Sequence, residues 1–197
     1  MMDNVSHETQ AHLECYVALL EKWNAKVNLI GRSTVADIWE RHIADSLQLM
    51  PFFPEKDARL VDVGTGAGLP GLILAAAGWT DCHLVEVDQK KAGFLRIAAG
   101  SCHMPATIHA CRVQDVTLPD VRYITARAYA ALGDIFETTT HLCRPETVYI
   151  LPKGRMAEEE IATARMTWDF TCEKHPSRSP DSWILRIVDV HRKGTGA

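Results

Sequence analysis

The sequence predicts an α/β fold: a seven-stranded, mostly parallel sheet with helices on both faces and a small helical annex at the N-terminus. Three observations predict it. From Arg59 onward, short β-branched runs alternate with helix-forming stretches, the pattern of a parallel sheet covered by crossover helices. The first run, Leu60, Val61 and Val63, feeds directly into glycines at alternate positions, Gly64, Gly66 and Gly68, and then into a helix-forming stretch. The last two runs have only the segment 176–180 between them. That is too short for a crossover, so these two strands should pair antiparallel.

Each element has its own signal. Residues 1–11 are polar and are expected to fray. Leu13, Tyr16, Val17, Leu20, Trp23 and Val27 then recur at helical spacing and give one apolar stripe, which Gly31 should stop. Thr34 with Asp37 reads as a capping box for a second helix, with Val35, Ile38, Trp39, His42, Ile43, Ser46 and Leu47 along one face. Pro51 and Pro54 close it. They mark the boundary between an annex, residues 1–54, and a single globular domain, residues 55–197. Strands are expected near 59–63, 82–87, 107–110, 122–126, 147–151, 169–174 and 183–191. Helices are expected near 69–77, 90–99, 131–142 and 156–167. Gly93 interrupts the second of these at a cost of ~1 kcal/mol against alanine.

Composition sets bounds. At 197 residues and 47% apolar, the chain can bury one substantial core. A net charge of −4 excludes a globally basic nucleic-acid wrapper, so any polyanion must be met by a local patch. The cysteines, Cys15, Cys82, Cys102, Cys111, Cys143 and Cys172, form no C-x-x-C pair, which favours reduced thiols in a cytoplasmic protein. No signal-like segment opens the chain and no apolar run approaches the ~18 residues of a membrane span. His103, His109 and Cys111 lack zinc-site spacing, so no metal is expected. The expectation is a cytoplasmic monomer without membrane contact.

The strand–glycine–helix order brings bare backbone against a nucleotide-like ligand. Its spacing is not the dinucleotide fingerprint: the third glycine, Gly68, comes one residue early and Leu69 stands in its place. With Asp62 ahead, the run Val61-Asp-Val-Gly-Thr-Gly-Ala-Gly resembles the first motif of class I S-adenosylmethionine (SAM) methyltransferases. On that reading Asp62 takes the ligand's amino side, directly or through water, and the start of helix 69–77 takes its carboxylate. Glu86, ending the second strand about 20 residues after Gly64, can accept both ribose hydroxyls. The third loop, Arg112-Val113-Gln114-Asp115, offers a backbone N–H, an amide and a carboxylate to an adenine edge. Arg127, in the fourth loop among small neighbours, should point into the substrate cleft, with a structural ion pair as the alternative.

The fourth loop also excludes chemistry. Residues 126–130 lack the Asp/Asn-Pro-Pro-aromatic run of exocyclic amine methylation, and no cysteine follows a proline as a cytosine-C5 nucleophile would. Acceptors that are already nucleophilic remain, such as a ring nitrogen. Guanine N7 loses no proton on attack and needs no general base. Orientation alone supplies effective molarities of ~10⁵ M or more.

Four segments then occur in order: Arg41-His-Ile-Ala-Asp-Ser46, Val61-Asp-Val-Gly-Thr-Gly-Ala-Gly-Leu-Pro-Gly71, Arg127-Ala-Tyr-Ala130 and Pro152-Lys-Gly154. Together they closely resemble the RsmG (GidB) family, over roughly residues 13 to 192. The resemblance implies transfer of a methyl group from SAM to N7 of a guanine in small-subunit (16S) ribosomal RNA. It also implies a SAM site lined by Gly64, Leu69, Val113, Gln114 and Arg127. Glu86 stands where many members carry Asp. Candidate RNA contacts are Arg32, Arg41, His42, Lys153 and Arg155, with the tail residues Arg186, His191, Arg192 and Lys193. His42 reads equally as a satisfied histidine on an apolar helix face. A methyltransferase acting on a small molecule or protein, and a non-catalytic SAM- or RNA-binding module, stand as alternatives.

Overall fold

A computed structural model describes residues 5–194 of the chain. Its centre is one seven-stranded sheet in the order β3-β2-β1-β4-β5-β7-β6. The strands are β1 (Arg59–Val63), β2 (Cys82–Val85), β3 (Thr107–His109), β4 (Val121–Thr125), β5 (Val148–Lys153), β6 (Trp168–Pro176) and β7 (Trp183–Arg192). The first five are parallel, while β7 runs antiparallel to both β5 and β6, as the short 176–180 connection requires. Strand order reverses beside β1, whose neighbours are β2 and β4. The carboxyl ends of β1 and β4 therefore flank the crevice in which such sheets bind ligands.

The period of two along each strand sends alternate side chains into two cores. Leu60 and Tyr123 pack with α1 (His7–Val27), α3 (Gly71–Ala76) and α4 (Gln89–Ser101) on one face. Val61, Val63 and Ile124 pack with α5 (Leu132–Thr139) and α6 (Ala157–Ala164) on the other. On the first face Phe53, Trp79 and Tyr123 meet edge to face at 5.2–5.7 Å between ring centres. Nothing lies near the Cβ position of Gly93, so no contact there requires glycine.

The annex departs from its sequence reading. Helix α1 begins at His7, because Ser6 caps it by accepting the Thr9 N–H at 3.1 Å; residues 7–11 are helical rather than frayed, and residues 1–4 lie outside the described residues. The helix ends at Val27, where Asn28 takes the left-handed conformation at φ 53°, three residues ahead of Gly31. Asparagine tolerates that conformation. Thr34 makes no capping box: its hydroxyl donates to the Gly31 carbonyl at 2.8 Å. In place of one regular helix there is a 3₁₀ turn at Arg32–Asp37, a π-helical turn at Trp39–Ala44 and the short α2 (Asp45–Leu47).

The thiols also differ from expectation. Cys15 on α1 and Cys102 at the end of α4 form a disulfide with Cα atoms 5.5 Å apart, 87 positions apart in sequence. Packing of α1 on α4 makes this pairing, and tertiary packing leaves no spacing signature in the chain. Cys82, Cys111, Cys143 and Cys172 are free.

Candidate active site

Between β1 and α3 the backbone turns through Gly64, Gly66 and Gly68, at φ 64°, 58° and 92°. Two of these glycines are required by the protein itself. A Cβ on Gly64 would stand 2.1 Å from the Tyr129 ring, and one on Gly68 2.7 Å from Leu72 Cβ. Gly66 differs: the nearest atom to its Cβ position is the Gly64 carbonyl oxygen, 4.0 Å away. The space beside Gly66 is a bare cradle that no protein atom fills.

Asp62 holds this turn from beneath. It is fully buried, and its Oδ2 accepts the Thr65 hydroxyl and the Gly71 N–H, the latter at 2.8 Å. Its Oδ1 has no partner. Burial pushes the carboxyl up to about 7, against the Thr65 and Gly71 hydrogen bonds that pull it down. Direct contact between Asp62 and a ligand in the crevice is thus closed in this arrangement. The start of α3 is likewise spent: Gly71 N–H goes to Asp62, Leu69 N–H to Thr65 O and Leu72 N–H to Gly68 O. Helix α3 therefore offers no open donor at Leu69 or Gly71, contrary to the sequence expectation. Leu69 itself is buried in the core. Tyr16 adds a brace from the annex, donating its hydroxyl to the Ala67 carbonyl at 2.7 Å.

Glu86 follows β2, nearly buried. Its two oxygens accept the Gly66 N–H at 2.9 Å and the Asp88 N–H at 2.8 Å. Each carboxylate oxygen retains a further lone pair, so the same group can fasten the glycine turn and accept a hydroxyl. Gly64 from one loop and Val113 and Gln114 from another meet with Val63, Val85 and Val87 around one crevice of about 280 Å³. Val87, 61% exposed, forms its outer lip.

Tyr129 closes the inner end of that crevice, with its ring against Gly64. On its other side lies a larger cleft of about 570 Å³, lined among others by Arg41, Asp45, Arg127, Lys153, Ser179 and Trp183. The two hollows adjoin at a single side chain, for which the sequence held no signal beyond its place two residues after Arg127.

Arg127 reaches from the end of β4 into the annex. Its Nη2 donates to the Arg41 carbonyl at 2.9 Å and to His42 Nδ1 at 3.0 Å, and Asp45 Oδ2 lies 3.6 Å away. Its Nη1 is buried and unpartnered. His42 is 7% exposed. Burial, then the Arg127 and Arg41 charges, lower its pKa to about 4, so the ring is neutral near pH 7.

The RNA candidates separate accordingly. His42 and Lys153 are withdrawn from that list: both His42 nitrogens are bonded, to Arg127 and to Thr34. The Lys153 ammonium, buried, donates to Ala130 O at 2.8 Å and Glu160 Oε2 at 2.6 Å, tying β5 to the Arg127 loop. The tail cations are engaged as well. Arg186 pairs with Glu173, Arg192 with Glu137, and His191 and Lys193 with Asp169. Arg32, Arg41 and Arg155 are exposed, with Arg41 at the cleft.

A glycine turn at a strand-order reversal, a carboxylate ending β2 and an arginine-bearing cleft beside it define a class I SAM-dependent methyltransferase. Solved structures agree in fold. The chain superposes on a magnesium protoporphyrin IX methyltransferase from Synechocystis PCC 6803 with bound SAM at a TM-score of 0.63 and 14% identity, covering 93% of this chain and 97% of that one. It superposes on an O-methyltransferase from Bacillus cereus in complex with SAH at 0.60 and 15%, covering 89% and 91%. Residues 9–179 match the GidB family, rRNA small subunit methyltransferase G. Proteins called ribosomal RNA small subunit methyltransferase G from Rhodospirillum centenum and Granulibacter bethesdensis are 44% and 41% identical. These alignments cover 96% and 95% of this chain and 88% and 89% of those proteins. The chain belongs to the GidB family of SAM-dependent small-subunit ribosomal RNA methyltransferases.

Proposed function

We propose that the chain transfers a methyl group to N7 of a guanine in small-subunit (16S) ribosomal RNA, working as a monomer in the cytoplasm. The annex (residues 1–54) and the methyltransferase domain (residues 55–197) contribute jointly to one site. The observation that carries this reading is the pair of adjoining hollows that meet at Tyr129, one floored by bare glycine backbone and the other walled by Arg127. The Gly66 cradle fits a cofactor that must lie on main chain. Bound SAM supplies an electrophilic sulfonium methyl.

The chain's residues do the rest. Gly64, Gly66, Val113 and Gln114 form the cofactor crevice, and Glu86 accepts ribose hydroxyls while holding the Gly66 N–H. Asp62 and Gly68 shape the turn, and Leu69 anchors it in the core. Arg127, part of the cleft wall, contacts cofactor or substrate and is the residue proposed as catalytic. The N7 lone pair attacks the methyl carbon as the carbon–sulfur bond breaks, and the purine takes up the positive charge. Asp45 and Glu160, both at the cleft, can offset that charge. No residue needs to remove a proton, so His42, bonded at both nitrogens, is not required as a base. The target guanine must be unpaired or splayed, because A-form RNA hides its N7 edge. Arg41, Arg32 and Arg155 are the cations free to meet its backbone.

Incubation of the purified protein with methyl-labelled SAM and small ribosomal subunits, naked ribosomal RNA, or a cell metabolite and protein fraction tests the reading. Label in small-subunit RNA, at a guanine sensitive to borohydride–aniline cleavage, is the expected result. Label confined to metabolites or protein, or no transfer at all, overturns it.

A further inference from the structure

The hydrogen-bond directions around Arg127 leave one assignment open to deduction. A guanidinium only donates, so His42 Nδ1, 3.0 Å from Arg127 Nη2, must present a lone pair. The proton of the neutral ring then sits on Nε2, which lies 2.9 Å from Thr34 Oγ1. That hydroxyl accepts it and donates its own proton to the Gly31 carbonyl at 2.8 Å. The directions at the buried His42 ring are therefore fixed by Arg127, and the chain Arg127–His42–Thr34–Gly31 runs out to the carbonyl of the exposed Gly31. The two N–H groups of Nη2 are consumed by Arg41 O and His42 Nδ1, while Nη1 makes no bond within the protein. The π-helical turn Trp39–Ala44 supplies the Arg41 carbonyl and the His42 ring to the same nitrogen. An α-helical register would direct consecutive residues differently.

We propose that His42 is a positioning residue for methyl transfer: held by Thr34 as the Nε2–H tautomer, it pins Arg127 Nη2 and so fixes the guanidinium at the cleft wall. This rests on the function proposed above for the same site, and it removes His42 from the RNA-contacting surface.

The two amide replacements of histidine separate positioning from support. Asn places its carbonyl oxygen near the Nδ1 position, whereas Gln places its amide nitrogen near Nε2. His42→Asn keeps the acceptor for Arg127, and His42→Gln keeps the donor to Thr34 but loses that acceptor. The expected result is a near wild-type kcat for His42→Asn and a fall of about 10- to 100-fold for His42→Gln, the scale of a misplaced reacting group, with KM for the ribosomal substrate little changed in both. Equal rates for the two variants, or a faster His42→Gln enzyme, overturn the proposal. Thr34→Ser and Thr34→Val form a second pair that does not touch the ring. Serine should preserve kcat and valine, which frees the tautomer, should lower it; equal rates count against the lock. Crystal structures of the His42 variants read Arg127 directly, without turnover. In His42→Asn, Nη2 should stay within about 3.2 Å of the introduced amide oxygen, and in His42→Gln it should leave its place. If wild-type protein fails to methylate ribosomal RNA the proposed function fails, while the arginine positions still decide the role of His42.

Discussion

Gly66→Ala separates a glycine kept for a ligand from one kept for the fold. At φ 58° an alanine sits in the left-handed region, at a cost of about 1–2 kcal/mol. No steric cost adds to this, because the new methyl has only the Gly64 carbonyl oxygen at 4.0 Å for company, and the Gly66 N–H bond to Glu86 is kept. For a domain of this size each kcal/mol is worth roughly 2–4 °C in Tm, so the variant should remain folded and melt only a few degrees early. The methyl nevertheless occupies the cradle, and SAM affinity by titration calorimetry should fall at least about 100-fold, the ~3 kcal/mol of a displaced contact surface. Gly64→Ala is the contrast. Its methyl would stand 2.1 Å from the Tyr129 ring, so that ring must move, and stability falls by more than at Gly66. A Gly66→Ala protein that binds SAM like wild type would refute the assignment of the cradle to the cofactor.

Three further outcomes follow from the same geometry. Asp62→Asn can keep a carbonyl oxygen at the Oδ2 position for Thr65 and Gly71 and place its amide at the unpartnered Oδ1. The Asp62 pKa is raised from an ordinary 3.8 to about 7, so the folded state binds the extra proton between those values. Wild-type stability should therefore decline as pH rises from 4 to 7 relative to Asp62→Asn, by up to about 4 kcal/mol; parallel urea-derived stability curves for the two proteins would exclude it. Tyr16→Phe removes the hydroxyl that holds the buried Ala67 carbonyl and should cost about 1–3 kcal/mol with weakened SAM binding, checked by thermal melting and calorimetry. Gly93→Ala, in open space on α4, should stabilise by about 1 kcal/mol; a lower Tm would mean that the glycine has a task.

Legibility varied with how local the determining physics is. Strand β1, the glycine turn and the antiparallel end of the sheet could be read directly, because alternation, positive-φ glycines and a connection too short for a crossover are local facts. Val113 and Gln114 follow a strand end and line one crevice with Gly64, whereas Glu86, just after β2, fastens the glycine turn through the Gly66 N–H. Destinations of side chains were less legible. Asp62 turned down to the turn it supports, and Lys153 was consumed by Ala130 and Glu160. Tyr129 came to rest on Gly64. Each outcome depends on a partner dozens of residues away or on backbone geometry that apolar periodicity does not encode. The annex differs from its sequence expectation for the same reason. Apolar spacing cannot tell a π-helical turn from an α-helix, and Asn28 rather than Gly31 took the left-handed cap.

That irregular annex braces both the glycine turn and Arg127. An appended RNA-binding module would touch the methyltransferase domain through surface contacts alone, and removing it would leave the crevice intact. Here the annex reaches both the glycine turn and the Arg127 loop. Tyr16 holds the Ala67 carbonyl inside the glycine turn, and the Arg41 carbonyl and His42 ring hold Arg127. A third tie comes from the opposite end of the sequence: the β6–β7 loop docks on the same annex, with Gln48 bonded to Ser177 and Arg178 and Asp45 to Ser179. This places Ser179 and Trp183 on the cleft wall across from Arg127. The Arg127 side chain and the far cleft wall are thus registered against one short irregular helix, while the glycine turn is braced separately by Tyr16 on α1. The exposed Arg41 lies within this irregular segment and its own carbonyl holds Arg127, so a displacement of Arg41 passes to Arg127 through a single hydrogen bond.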